Sequence, residues 1–486
     1  MHRKESKIEK KQLNASIVAA LFAVCAVLIC IASCIKLSIA CVEVWQTKYI
    51  AMLVSFVIAA LGIVTLFGLF IFFTDREFLK KPKGVFILVS IVLISTALST
   101  LMSFASPFFS ATLLAVILVG ILVKKELAYP SAVMMATVIS VVTIEPASGI
   151  GAYTCLCTLI TALTGGLTAA LMLNVKKGRL TPSLAGLVGG TASALSLCVV
   201  QALCGAQISE SIVPMLWLIG GGSLCGVVAT GILPLLEVAF DIATDARLNE
   251  LMNNNNPLMK RLMVEAPGTY HHSMLVATLA EAAAEQVGAN SLLCKAAGYY
   301  HDVGKLRSPM HFKENQRDFN IHDTLDPRES AQRIIAHRRD GVTLLMKNNI
   351  PSDVVKIASE HHGNSTVLFF YNEALKRAAD GEKVDEADFR YNASKPSTKE
   401  SAIIMLADCC EAAVRSIKQP TLESIEAKVH DVIGNLWLKQ DGQLSECPLT
   451  ARDILLIQKS FVKTLSAQYH ERIEYPTLEE IENAKK

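Results

Sequence analysis

The 486-residue chain is 52% hydrophobic and only 19% charged, with a mean hydropathy of +0.40, a balance too apolar for a soluble protein of this length. A net charge of +2 and a pI near 7.9 leave no basic stripe for a nucleic-acid polymer, and that partner class is excluded. The thirteen cysteines imply no disulfide framework: those from Cys25 to Cys225 lie in or beside apolar segments, and Cys294, Cys409, Cys410 and Cys447 lack the CxxC spacing of a zinc site.

Residues 1–14 form a basic N-terminus with Arg3, Lys4, Lys7, Lys10 and Lys11. Residues 15–236 then read as a transmembrane domain, because about 20 mainly apolar residues cross a hydrocarbon core. The stretches are 15–35, 50–73, 85–104, 106–123, 130–148, 151–174, 183–206 and 212–236. The count is eight, or seven if 85–123 is a tight hairpin or if Glu145 and Pro146 interrupt the fifth. The first run exceeds the 7 to 15 apolar residues usual for a cleaved signal peptide, so it is read as an anchor.

Loop charge sets the orientation. Eight crossings from an inside N-terminus put Arg76, Lys80, Lys81 and Lys83, then Lys124 and Lys125, then Lys176, Lys177 and Arg179 inside. Lys36 and Lys48 are left outside, which satisfies the positive-inside rule and places the C-terminal half in the cytoplasm. The spans carry almost no ionisable residue, Glu145 lying at an outer boundary, which argues against an ion or substrate path. Gly165, Gly166, Gly186, Gly189, Gly190, Gly220, Gly221 and Gly222 instead suit close helix packing. The lipid bilayer is thus a partner of the chain, and the domain is an anchor or a sensor.

From Glu237 the pattern turns amphipathic. Residues 237–266 read as a helical connector broken at Asn253–Asn256, and 267–486 as an all-helical domain. Its helices are predicted after the polar Thr269–Ser273 segment and over 291–304, 327–347, 352–362, 365–379, 399–417, 421–438 and 450–472. The fold class is therefore all-α, a polytopic helical bundle followed by a helical cytoplasmic domain.

Ten of the eleven histidines lie beyond Tyr270. His272, His301 with Asp302, His337, and the pair His361 and His362 fall within or at the ends of separate helices with strong apolar faces. Asp408 interrupts the buried-looking run IIMLADCCEAA. A carboxylate there is costly unless paired or bound to metal. Imidazole and carboxylate together suit borderline divalent metals such as iron, manganese or zinc. One histidine on an apolar helix is usually a satisfied core residue; several helices each supplying a candidate ligand make a metal centre the better reading. His271, one residue from His272, should point about 100° away.

The ordered set resembles the HD superfamily of metal-dependent phosphohydrolases. APGTYHHS at 266–273, YYHDVGK at 299–305, KENQ at 313–316, HHG at 361–363, TKESAIIMLADCCEAAVRS at 398–416 and RIEYP at 472–476 narrow it to the membrane-bound HD family whose members are cyclic-di-AMP phosphodiesterases. The resemblance implies two divalent metal ions, manganese or iron. One would be held by His272, His301, Asp302 and Asp408, the other by Asp302, His337, His361 and His362, with Asp302 bridging. Two cations about 3.5 to 4 Å apart activate water and polarise a phosphoryl oxygen. Asp302 is thus catalytic as well as a ligand, and Lys305 is the candidate to meet charge developing on the phosphate. One departure stands out: family members carry a large extracytoplasmic domain after the first helix, where this chain has only about Lys36 to Tyr49.

The expectation is a phosphodiesterase of a bacterial inner membrane, with N-terminus and HD domain cytoplasmic, converting the cyclic dinucleotide cyclic di-AMP to pApA. Residue types do not choose adenine over guanine. Cyclic di-GMP and ppGpp remain alternative substrates, although HHG continues as Asn364-Ser365-Thr366 rather than toward the GYP string of cyclic-di-GMP enzymes. A non-catalytic nucleotide receptor is the reading from another class. Homo-oligomerisation is left open. Glu314 and Asn315 have no assigned geometry, Arg415 either meets phosphate or pairs with Glu411 at i,i+4, and the second HD dipeptide, His322-Asp323, has no role.

Overall fold

The structure is a computed structural model that describes residues 47–142, 151–175, 178–205, 207–316, 319–379, 383–438 and 442–468. The predicted first span at 15–35, Glu145 and the RIEYP string lie outside them. The chain divides into two compact units, Met1–Phe240 and Asp241–Lys486, a boundary just beyond the predicted end of the apolar region.

The first unit contains the longer helices α1 (Thr47–Thr74), α2 (Pro82–Met102), α3 (Thr112–Leu122), α4 (Lys125–Val142), α5 (Gly151–Val175), α6 (Thr181–Leu203) and α7 (Ile212–Ala239). Among the described residues, α2, α5, α6 and α7 are the four helices long and apolar enough to cross a membrane. The predicted span 106–123 is not continuous helix. Phe109 N–H donates to Ser106 O at 3.0 Å, Phe108 N–H to Ser106 Oγ at 3.3 Å, and the helix starts only where Ala111 N–H reaches Ser99 Oγ at 2.9 Å. At 1.5 Å per residue α3 is about 16 Å long, half of a hydrocarbon core. It is buried along almost its whole length, packed against α2, α4, α5, α6 and α7, so the broken backbone before it is shielded by protein, as an apolar medium demands. The fifth predicted span likewise begins earlier than expected, at Lys125, and carries Pro130 inside the helix.

The glycine-rich face of α6 meets that of α7 backbone to backbone: a Cβ at Gly186 would lie 2.3 Å from the Gly222 carbonyl oxygen. Gly220 differs from its neighbours, with open space where a Cβ would stand. At the end of the unit Arg179 Nη1 donates to both carboxylate oxygens of buried Glu237, at 2.9 and 2.7 Å.

The second unit is helical among the described residues apart from one isolated bridge, Thr366 to Arg390. It runs α8 (Asp245–Leu251), α9 (Pro257–Glu265), α10 (Pro267–Gln286), α11 (Ser291–Tyr300), α12 (Pro327–Lys347), α13 (Ser352–Glu360), α14 (Leu368–Arg377), α15 (Lys399–Arg415), α16 (Leu422–Leu438) and α17 (Ala451–Gln468). Asn256 caps α9, accepting from Leu258 N–H at 3.0 Å, with Pro257 at the first helical position where its missing N–H costs nothing. The polar Thr269–Ser273 segment belongs to α10, which begins at Pro267. Two apolar clusters make the core. Val276, Leu279, Ile403, Ile404, Ile457 and Phe461 build one, and Leu248, Leu262, Tyr300, Val303, Leu345 and Val354 the other. Helix α11 serves both, Ala297 in the first and Ala296 and Tyr300 in the second, and its C-terminal end delivers His301 and Asp302.

Candidate metal centre

Each candidate ligand sits where a helix face or helix end turns inward. On α10 the buried positions Thr269, His272, Ser273, Val276, Leu279, Ala280 and Ala283 follow the helical period, so His272 is buried while His271 on the neighbouring face is exposed. His301 caps α11, and Asp302 opens the 3-10 turn Val303–Arg307. His337 lies mid-way along α12, His361 follows α13, and Asp408 projects from α15. Gly304 permits the closest approach: a Cβ there would fall 1.8 Å from the His337 carbonyl oxygen, so only glycine lets the turn seat Asp302 against α12.

These residues converge in two groups sharing Asp302. His272, His301, Asp302 and Asp408 form one and Asp302, His337, His361 and His362 the other, the donor atoms of each lying within 4.8 Å of one another. Asp302 divides its oxygens between them. Oδ2 stands 3.3 Å from His301 Nε2 and 3.6 Å from His272 Nε2, whereas Oδ1 stands 3.3 Å from His337 Nε2 and 3.7 Å from His361 Nε2. Asp408 Oδ1 is 3.0 Å from His272 Nε2, and Oδ2 is 3.8 Å from His362 Nδ1.

The imidazoles are oriented from behind. His301, His337 and His361 donate Nδ1–H to the carbonyls of Gly298, Ile334 and Ala358, at 2.8, 2.5 and 2.7 Å. His272 donates Nδ1–H to Glu411 Oε2 at 2.5 Å. Each bond leaves Nε2 as the inward donor, the arrangement that fixes tautomer and ring plane for metal. His301 Nε2 and Asp302 Oδ1 are buried without a hydrogen-bond partner. Such orphans are costly in a folded protein; a divalent cation satisfies them, and this donor set fits one.

His362 is held differently. Its ring lies against Tyr391, with centroids 4.3 Å apart at 31°, and against His361 at 3.9 Å. Stacking takes the place of the carbonyl bond its neighbours make.

Charge follows the geometry. Burial alone would raise the Asp302 carboxyl, yet Lys305 and His301 hold it well below the usual range. Burial pulls His301 down, but the Asp302 carboxylate more than offsets this and the group ends up at about 10. Burial and His301 push His361 down to about 3, and burial with His361 and His337 holds His362 well below its ordinary value. Lys305 Nζ lies 2.7 Å from both Asp302 Oδ2 and Glu314 Oε1. Burial disfavours its charge, but the two carboxylates raise it and keep the ammonium.

All seven residues singled out as ligands therefore lie together, with Lys305 at their edge. Arg415 stands 3.8 Å from Glu411 Oε2 and is partly exposed, the pairing alternative of the two considered. His322 donates to the His311 carbonyl at 2.8 Å and takes no part in the centre. Glu411 and Tyr391 were missed. For Glu411 the signal was present, a second carboxylate three residues after Asp408 in an apolar run. Tyr391 gives none, since it lies in irregular chain after the 3-10 turn Glu386–Phe389.

Residues 269–413 match the HD domain, and 49–244 match the family described as 7TM receptor with intracellular HD hydrolase, a region reaching from α1 past α7. The Cyclic-di-AMP phosphodiesterase PgpH of Listeria monocytogenes serotype 1/2a (strain 10403S) is 34% identical over 434 residues, 86% of this chain and 58% of that protein. The protein of the same name from Bacillus subtilis (strain 168) is 44% identical over 285 residues, 58% of this chain and 39% of that protein. The chain thus spans between about two fifths and three fifths of these relatives' length. A crystal structure of the L. monocytogenes PgpH HD domain in complex with cyclic-di-AMP is 44% identical with a TM-score of 0.42, covering 45% of this chain and 100% of that one. With membrane helices and an HD domain matched in series, the chain is similar in its two halves to the family described as 7TM receptor with intracellular HD hydrolase and to the HD domain.

Proposed function

We propose that this chain is a metal-dependent phosphodiesterase that hydrolyses cyclic di-AMP to pApA on the cytoplasmic side of a bacterial inner membrane, at a centre of two divalent ions, manganese or iron. The observation that carries the reading is Asp302, whose two oxygens face two separate donor groups. The names of the relatives, both cyclic-di-AMP phosphodiesterases, support the substrate, and loop charge supports the sidedness.

His272, His301 and Asp408 would hold one ion and His337, His361 and His362 the other, with Asp302 shared. Metal bound there supplies Lewis-acid activation of water and polarisation of the phosphoryl group. The chain supplies the rest. Buried histidines exclude bulk water, backbone carbonyls and Glu411 keep the Nε2 atoms of His272, His301, His337 and His361 aimed inward, and the Lys305 ammonium offers donors to a phosphate oxygen as charge grows on it.

Hydrolysis of cyclic di-AMP and cyclic di-GMP by the detergent-purified full chain, with manganese or ferrous iron, tests the reading. Selective formation of pApA is expected. Turnover of cyclic di-GMP alone would replace the substrate, and tight binding of either nucleotide without turnover would make the chain a receptor.

The two groups should load with different proton counts. His301 is an imidazolium below about 10 in the metal-free site, so metal entering the first group displaces its proton, and affinity there climbs roughly tenfold per pH unit across the neutral range. His361 and His362 are already neutral and impose no such cost. Dialysis from pH 8 to pH 6 followed by elemental analysis should show bound metal falling from two ions toward one; simultaneous loss of both would contradict the assignment.

Tyr391→Leu removes the stacking face behind His362. The expected result is about tenfold weaker binding of one ion, in line with other residues that orient metal ligands, with the second ion unaffected in the same titration. Tyr391→Phe keeps the face and should bind as wild type does.

A further inference from the structure

We infer that Glu314 is a positioning residue for Lys305, carried on a turn that clasps the first turn of α10; this rests on the phosphodiesterase reading above. A lysine side chain has many rotamers and three donors. Here it is confined on three sides, by Asp302 Oδ2 and Glu314 Oε1 at 2.7 Å each and by the Phe312 ring, whose centroid is 4.9 Å from Nζ. Glu314 is itself anchored, its Oε1 accepting from Thr269 Oγ1 at 3.2 Å. Asn315 completes the clasp: its Oδ1 accepts from Thr269 N–H at 3.2 Å, and its Nδ2 donates to Thr269 Oγ1 at 2.9 Å and to the Pro309 carbonyl at 3.3 Å. Thr269 N–H is one of the donors that a helix start leaves without an intrahelical partner, and Thr269 lies three residues before His272 on the same face of α10.

The two anchors of Lys305 are not equivalent. Asp302 is the residue shared by the two donor groups, so its Oδ2 is committed inward, while Glu314 belongs to neither group. Glu314 is therefore the fixed anchor that keeps Nζ at the rim of the centre, where a phosphodiester gains negative charge during attack. It acts through Lys305 and touches no substrate.

The full chain in detergent, loaded with manganese, would be assayed on cyclic di-AMP and on bis(p-nitrophenyl) phosphate, with metal content measured in parallel. Lys305→Met should lower kcat about 100-fold. Glu314→Gln, nearly isosteric, should lower kcat roughly tenfold, with KM within about twofold and bound metal unchanged, and Glu314→Asp should recover part of the loss. The double variant should match Lys305→Met, because no ammonium remains to be placed. An unchanged kcat in Glu314→Gln, loss of metal from it, or additive losses in the double variant would each overturn the assignment. Should Glu314→Gln fail to fold, Thr269→Val removes the hydroxyl that holds Glu314 and carries the same test, expected at about threefold in kcat and at no effect in the Lys305→Met background. Hydrolysis of neither ester by the wild type would instead sink the phosphodiesterase reading, and the role of Glu314 with it.

Discussion

Asp302→Ala should strip both metal sites and abolish turnover. Asp302 is the only residue common to the two donor groups, and its oxygens stand 3.3 Å from His301 and from His337, so one substitution removes a ligand from each. Metal assistance is worth several kcal/mol of transition-state stabilisation. Losing about 5 to 6 kcal/mol corresponds to roughly 10⁴-fold in rate. The side chain is buried and also balances Lys305 and His301, so Asp302→Asn, which preserves volume, is the companion variant. Elemental analysis and product formation, read together with circular dichroism, check both effects. A variant that folds, keeps two ions and still turns over would dismantle the shared-ligand arrangement.

The legible part of the centre was the part written in residue type and order. Histidines beside carboxylates on apolar helices are conspicuous because burial of such groups is costly without partners, and the seven named residues do converge in space. The helix Pro327–Lys347 was readable for a related reason: Asp326 and Pro327 give a start signal and the 3.6-residue period runs on unbroken. What sequence could not show was support. Glu411 entered the sequence reading only as one of two alternatives for Arg415, yet it is fully buried against His272; periodicity fixes which face a residue occupies but not whether another helix covers that face. Tyr391 reaches His362 only because irregular chain returns beside Ser365, whose carbonyl accepts from Tyr391 N–H at 2.9 Å. Long-range return of that kind has no periodic signature.

The membrane unit failed in a complementary way. Hydropathy joined Ser106–Val123 into one span because Ser, Pro and Thr lower the average little and Phe108 and Phe109 raise it. The hydrogen bonds from Phe109 to Ser106 and from Ala111 to Ser99 are specific local alternatives to helix, and a windowed average is blind to them. Close helix packing was anticipated for these glycines without naming their partners, and the backbones of Gly186 and Gly190 do meet that of Gly222; Gly220, two positions before Gly222, faces open space because the sequence run of glycines covers more than one helix face.

Glu411 gives the second large effect. Its Oε2 accepts from His272 Nδ1 at 2.5 Å, it is 0% exposed, and its Oε1 has no hydrogen-bond partner. A buried carboxylate on the far side of a ligating imidazole makes that imidazole a better donor and fixes its tautomer. Glu411→Ala should therefore weaken the first metal site by about 100-fold and Glu411→Gln, which can still accept through its amide oxygen, by about tenfold. Because the defect lies in metal affinity, kcat should return toward wild type as manganese is raised, with KM for the nucleotide unchanged. The metal titration decides the matter: normal affinity with depressed kcat at saturating manganese would show that Glu411 serves the chemistry by some route other than His272.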